Sequence, residues 1–252
     1  MIRRHRSTAT ALVAAALLLG GLVTGCGSDD GDAGGSGALT VYGAASLADV
    51  FPAIDPDAEY NFAASDTLAT QIREGAPADV YAAANERLPD ELLREGLVEQ
   101  PTVFVTNRLV LIVPRGNPRK IASVADLKAA GITFVMADEG VPAGDYTRKV
   151  LDKLGAGDLV GKAASQEDDA RAVTGKVALG EADAGFAYAT DAKAVAAEVE
   201  TVVIPADAQT PIRYAVAVVA TSPRKNRAAA FIAKLGSPEG RQALQDAGFG
   251  VP

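Results

Sequence analysis

The chain has 252 residues, with 24 Lys and Arg against 32 Asp and Glu, a formal net charge of −8, one His, one Cys and no Trp. No Lys/Arg-rich run or stripe interrupts this acidic balance, which argues against nucleic acid as a partner. The His is His5 and the Cys is Cys26. Everything after Cys26 therefore lacks the means for Ser-His-Asp or Cys-His catalysis and for His- or Cys-ligated zinc. Carboxylate catalysis stays open.

Arg3, Arg4 and Arg6 precede an apolar run over 11–19, and Val23-Thr24-Gly25-Cys26 closes the segment. This is the layout of a secretory signal, and it is too short for a spanning helix. Small residues before a Cys resemble the lipobox of bacterial lipoproteins. Residues 1–25 are therefore expected to be a lipoprotein signal peptide, with Cys26 the lipidated residue; the competing reading is an ordinary signal with a stray thiol. Losing the three arginines takes the formal charge from −8 to −11. Residues 26–38, rich in Gly, Ser and Asp, cannot bury surface and are expected to form a flexible tether.

Beyond the tether, short Val/Ala/Phe strands alternate with amphipathic helices, the pattern of an α/β protein with largely parallel sheets. A strand at 39–42 precedes Leu47, Val50, Phe51 and Ile54 at helical spacing, and a second strand is expected over 79–83. Asn85 caps the next helix and Gly96 stops it. A fully apolar strand at 109–113 runs into the turn cluster 114–118. Ser123 and Asp126 have capping-box spacing. A strand at 133–137, helices at 146–154 and 168–179, and a strand at 185–188 follow. The turn cluster 205–211 precedes a strand at 213–220, and Pro238 opens the last helix. Two turn clusters around a middle block suggest two lobes with a cleft at the crossover, although a single doubly wound sheet fits the periodicity almost as well.

Two segments repeat one design of strand, small residues, Ser and helix: Tyr42-Gly43-Ala44-Ala45-Ser46-Leu47 and Phe62-Ala63-Ala64-Ser65-Asp66-Thr67-Leu68. Small side chains admit close backbone approach, and a helix N-terminus offers free N–H groups to an anion. Taken singly, each Ser is as well explained as a cap of its own helix. Gly140-Val141-Pro142-Ala143-Gly144 and Asp168-Asp169-Ala170-Arg171 offer two further helix starts. Tyr188 ends a strand, where ligands sit in open α/β sheets.

These passages, with Gly75-Ala76-Pro77-Ala78-Asp79-Val80, Asn107-Arg108-Leu109-Val110, the 180–188 segment and Gly248-Phe249-Gly250, resemble the periplasmic molybdate-binding proteins. The resemblance spans about 39–252. It implies a two-lobed periplasmic-binding-protein fold of type II, with lobe 1 over 39–113 plus 212–252, lobe 2 over 114–211, and the ligand cleft between lobes joined by crossing strands. It also implies a receptor, not an enzyme, extracytoplasmic and lipid-anchored, monomeric, serving the permease and ATPase subunits of an ABC importer. The ligand would be molybdate or tungstate, with no cofactor and no bound metal beyond the oxyanion. Ser46 and Ser65 would supply hydroxyls, Ala143 and Ala170 backbone N–H groups, and Tyr188 its phenol.

The chain departs from that family in two places. The stretch between Ser46 and Ser65 is short and Pro52 interrupts its helix. Asp66 follows Ser65 where a neutral residue is usual, and capping its own helix explains it better than facing a dianion. Arg108 and Arg171 are expected to pair at the surface and not to bind ligand. A site of amides and hydroxyls has nothing titrating between about pH 6 and 9, so affinity is expected to be flat there. The competing functions are a receptor for sulfate or another tetrahedral oxyanion, a secreted lipoprotein hydrolase, and a metal-ion receptor, for which the cleft lacks ligands.

Overall fold

The computed structural model describes residues 37–251. The expected leader over 1–25, Cys26 and most of the expected tether lie outside them.

Among the described residues ten strands form two five-stranded sheets. In the first, β1 (Thr40–Ala44) lies between parallel β2 (Glu59–Ala63) and β3 (Val80–Ala83), and antiparallel β10 (Ile212–Val218) and β4 (Thr102–Asn107) complete it. In the second, β6 (Phe134–Ala137) lies between parallel β7 (Ser165–Glu167) and β8 (Ala184–Tyr188), and β5 (Leu109–Pro114) joins β8 to β9 (Val199–Val202). Helices α1 (Phe51–Ile54), α2 (Ser65–Arg73), α3 (Arg87–Arg94), α7 (Lys225–Gly236) and α8 (Pro238–Asp246) belong with the first sheet. Helices α4 (Pro142–Lys153), α5 (Ala170–Ala178) and α6 (Ala189–Ala194) belong with the second. Strands β3 and β8 are buried along their whole length, which is why they read as unbroken apolar runs and not as alternating ones. In the first lobe Phe51 meets Phe231 edge-on at 5.3 Å.

The chain crosses from the first sheet to the second at Arg108, between β4 and β5, and returns over 203–211. The turn cluster at 114–118 suggested a crossing there, with 109–113 in lobe 1. Strand β5 instead pairs with β8 and β9. A Pro/Gly cluster marks where a chain turns but not which sheet the preceding strand has joined, and a wholly apolar strand suits either interior. Strands β4, β7 and β9 and helices α6 and α7 went unread, and α4 begins four residues before the expected 146. Pro52 does not break a helix; it stands in the first turn of α1, where its missing N–H costs nothing. The expected Ser123–Asp126 pair forms, with the Ser123 amide donating to Asp126 Oδ2 at 2.9 Å, but over a 3₁₀ turn (Val124–Lys128).

Asp79, in the Gly75–Val80 passage, anchors one end of the first lobe. Its buried carboxylate accepts from the Thr40 amide at 2.8 Å, the Ser222 hydroxyl at 2.6 Å and Arg224 Nε at 2.9 Å. Burial pushes its pKa up, but the Ser222, Thr40 and Arg224 donors outweigh that and hold it below the usual carboxylate range. Its role is to tie the starts of β1 and β3 to the segment after β10.

Candidate ligand-binding site

The carboxyl ends of β1, β2, β6 and β8 meet around a small cavity of about 20 Å³. Ser46, Ser65, Ala143, Ala170 and Tyr188 all line it, with Ala44, Ala45, Ala63, Ala64, Ala84, Val141, Pro142 and Asp169 filling the gaps. The small residues of both strand-Ser motifs thus form the wall, and the five residues singled out from sequence are brought together.

Neither serine caps its own helix. Ser46 sits in the 3₁₀ turn Ala45–Leu47, with Oγ 2.9 Å from Tyr214 Oη. Asn107 Nδ2 donates to that phenol at 3.2 Å and to Thr190 Oγ1 at 3.0 Å. In the donor order Asn107, Tyr214, Ser46, the Ser46 proton is left for the cavity. Ser65, 1% exposed, is the first residue of α2. The Ala84 amide donates to its Oγ at 3.0 Å, so its hydroxyl proton is also free to point inward.

The second lobe supplies backbone. In α4 the first intrahelical bond runs from Asp145 N to Val141 O, so the Ala143 and Gly144 amides have no acceptor within the helix. In α5 Asp169 is the N-cap, its Oδ1 accepting from Ala172 N at 2.9 Å, and the Ala170 amide likewise has no acceptor within the helix. Both starts carry partial positive charge toward the cavity. Tyr188 is 2% exposed, and its Oη is buried with no hydrogen-bond partner. Burial drives its pKa well above the ordinary value, so it stays a donor. An orphaned phenol in an interior costs about 1–3 kcal/mol unless something accepts from it. A fully deprotonated tetrahedral oxyanion has acceptors for every one of these donors.

Among the described residues no group of His, Cys, Asp and Glu is placed to hold a metal ion. Asp66 does not line the cavity, and the N-cap residue of α2, Ala64, makes no side-chain cap bond. Its Oδ1 is buried without a hydrogen-bond partner. Burial raises its pKa, more than the neighbouring Asp66 and Thr67 amides lower it. The two amides belong to the first turn of α2, so the Asp66 carboxylate caps its own helix start, as expected, and does not face the cavity. Arg108 is exposed and outside the cavity wall. Arg171 pairs with Asp49 of the other lobe at 2.7 Å, and Arg87 with Asp145 of the other lobe at 3.5 Å.

A match to the family described as bacterial extracellular solute-binding protein runs over residues 39–250. The chain belongs to that family. It is 37% identical over 259 residues to the molybdate-binding protein ModA of Mycobacterium tuberculosis, covering 96% of this chain and 97% of the relative. The ModA of Haemophilus influenzae is 34% identical over 201 residues, 73% of this chain and 79% of its own. The fold matches the periplasmic molybdate-binding protein of Azotobacter vinelandii with a TM-score of 0.76, at 21% identity over 85% of this chain and 99% of that one. The type II two-lobed architecture of this solute-binding protein is thus shared with its relatives.

Sequence reasoning missed Tyr214, Asn107 and Asp169. Asn107 lies in a passage quoted for the family resemblance but carried no chemical signal. Tyr214 is a strand Tyr in the returning crossover, indistinguishable in sequence from a core-edge aromatic. Asp169 was read only as part of a helix start.

Proposed function

We propose that this protein is an extracytoplasmic, lipid-anchored receptor that binds molybdate, with tungstate as its near equivalent, and delivers it to an ABC importer. Ser46 and Ser65 donate hydroxyls, Ala143 and Ala170 donate amides, and Tyr188 donates its phenol. The observation that carries the reading is the Tyr188 Oη, buried and unpartnered at the wall of a cavity where the Ser46 and Ser65 hydroxyls and the Ala143 and Ala170 amides are set up to donate. The protein acts as a monomeric receptor and not as a catalyst, needs no cofactor, and hands its cargo to the permease and ATPase subunits. The names of its relatives support the choice of molybdate over other oxyanions.

Calorimetry of molybdate with the purified protein tests the reading. Tyr188→Phe and Ser46→Ala are each expected to weaken binding by about 1.5–3 kcal/mol, the worth of a hydrogen bond to a charged partner. Unchanged affinity in both variants would remove these residues from the site. Cys26→Ser tests the anchor: the variant is expected in the soluble extracytoplasmic fraction, and continued membrane retention would refute lipidation at Cys26. The Gly-rich segment that follows gives the domain its reach from the membrane.

A further inference from the structure

We propose that Asp191 couples oxyanion binding to the uptake of a proton. This rests on the oxyanion-receptor reading above. Asp191 stands in the first turn of α6, three residues after Tyr188, the residue that begins that helix. It is 4% exposed, and its Oδ2 is buried with no hydrogen-bond partner. An ionised oxygen so placed has neither water nor a donor to stabilise it, so the carboxyl holds its proton far more tightly than an exposed Asp.

The surroundings set how tightly. Burial is the largest influence and brings the Asp191 pKa to about 7. From α5, Arg171 opposes that rise and Asp169 adds to it; Asp49, from the first lobe, also adds, while the Tyr188 amide opposes. Arg171 is already paired with Asp49 at 2.7 Å, which blunts its effect on Asp191. Tyr188, at the end of β8, and Tyr214 on β10 both feel the Asp191 charge. The first is the bare phenol in the cavity wall, and the second holds Ser46 from behind that wall.

A dianion seated against the Tyr188 phenol brings two negative charges to the residue whose own amide bonds the Asp191 carboxylate. A like charge favours the neutral acid, so the loaded cleft binds the Asp191 proton more tightly than the empty one. Linkage is reciprocal: the protonated form binds the dianion more tightly by the same factor. Affinity therefore falls as pH rises through neutrality, where amides and hydroxyls alone would leave it flat.

The test is titration of the purified protein with molybdate at pH 6.5, 7.5 and 8.5, in buffers of different ionisation enthalpy. The expected result is about tenfold weaker binding at pH 8.5 than at 6.5, one unit of pKa shift being one decade. Binding enthalpy at pH 7.5 is expected to vary with the buffer as uptake of a fraction of a proton requires. Asp191→Asn is expected to keep the low-pH affinity at all three values and to lose the buffer dependence. Should that variant fail to fold, Arg171→Gln serves instead: removing the cation is expected to move the fall in affinity to higher pH. Tight binding with flat affinity and no buffer dependence overturns the proposal and leaves the receptor standing. Buffer dependence that persists in Asp191→Asn overturns the assignment to Asp191. Absence of binding to any oxyanion overturns the receptor reading and this one with it.

Discussion

Gly144→Ala is expected to weaken molybdate binding by about 100-fold and to cost about 1–3 kcal/mol of stability. Gly144 lies in the first turn of α4, which packs directly on the carboxyl end of β6. A Cβ at this position would stand 1.9 Å from the Asp138 carbonyl oxygen and 2.5 Å from that of Ala137. Both contacts are with backbone, so no side chain can swing aside, and the helix start itself must move. The Ala143 amide moves with it, and a donor displaced by about an ångström no longer makes a useful hydrogen bond. Two charge-assisted bonds weakened together amount to about 3 kcal/mol or more. Gly175→Ala is the matched control. It lies in α5 with nothing within 4 Å of the added Cβ, and a helical Gly→Ala change is expected to stabilise by about 0.5–1 kcal/mol. Thermal unfolding and molybdate calorimetry on both variants check the pair; full affinity in Gly144→Ala would mean that the α4 amides do not hold the ligand.

Hydrogen phosphate is expected to bind up to about 100-fold more weakly than molybdate, with sulfate also weaker and tungstate near equal. The donors described above each present a proton to the cavity. A proton on the ligand then faces a donor, and the unmade buried bond costs about 1–3 kcal/mol. Asp169 is the one carboxylate in the wall, and its Oδ1 already accepts the Ala172 amide inside α5. Sulfate has no such proton, so size alone discriminates. Its oxygens lie closer to the centre, and several donors would be left reaching across stretched hydrogen bonds. Competition calorimetry decides the matter. Sulfate as tight as molybdate would reassign the receptor to a smaller oxyanion, and tight phosphate would show that Asp169 accepts the ligand's proton.

The segments that line the cavity were legible because their signal is local. A strand that ends in small residues and a Ser, or a Pro at a helix start, can be read within about six residues. The choice of Ser46, Ser65, Ala143, Ala170 and Tyr188 as one set came from the family resemblance, and only the folded chain shows that all five line one cavity. The two-lobed fold was less legible. Its outline came through the alternation of strands and helices together with the family resemblance, but periodicity carries no information about which sheet a strand enters. The first crossing was therefore placed at the conspicuous turn after Pro114 and not at Arg108, where nothing in the local composition changes.

What tertiary structure alone decided is everything that depends on a partner far along the chain. Ser46 meets Tyr214 across 168 residues, Arg171 meets Asp49 across 122, and Asp79 meets Arg224 across 145. No propensity or spacing encodes such pairs, because each is fixed only when the sheets have closed. The same holds for Asp191. In sequence it is an acidic residue in the first turn of a short helix, a position that favours a negative charge. Only its burial in the folded chain removes the water that would keep it an ordinary carboxylate.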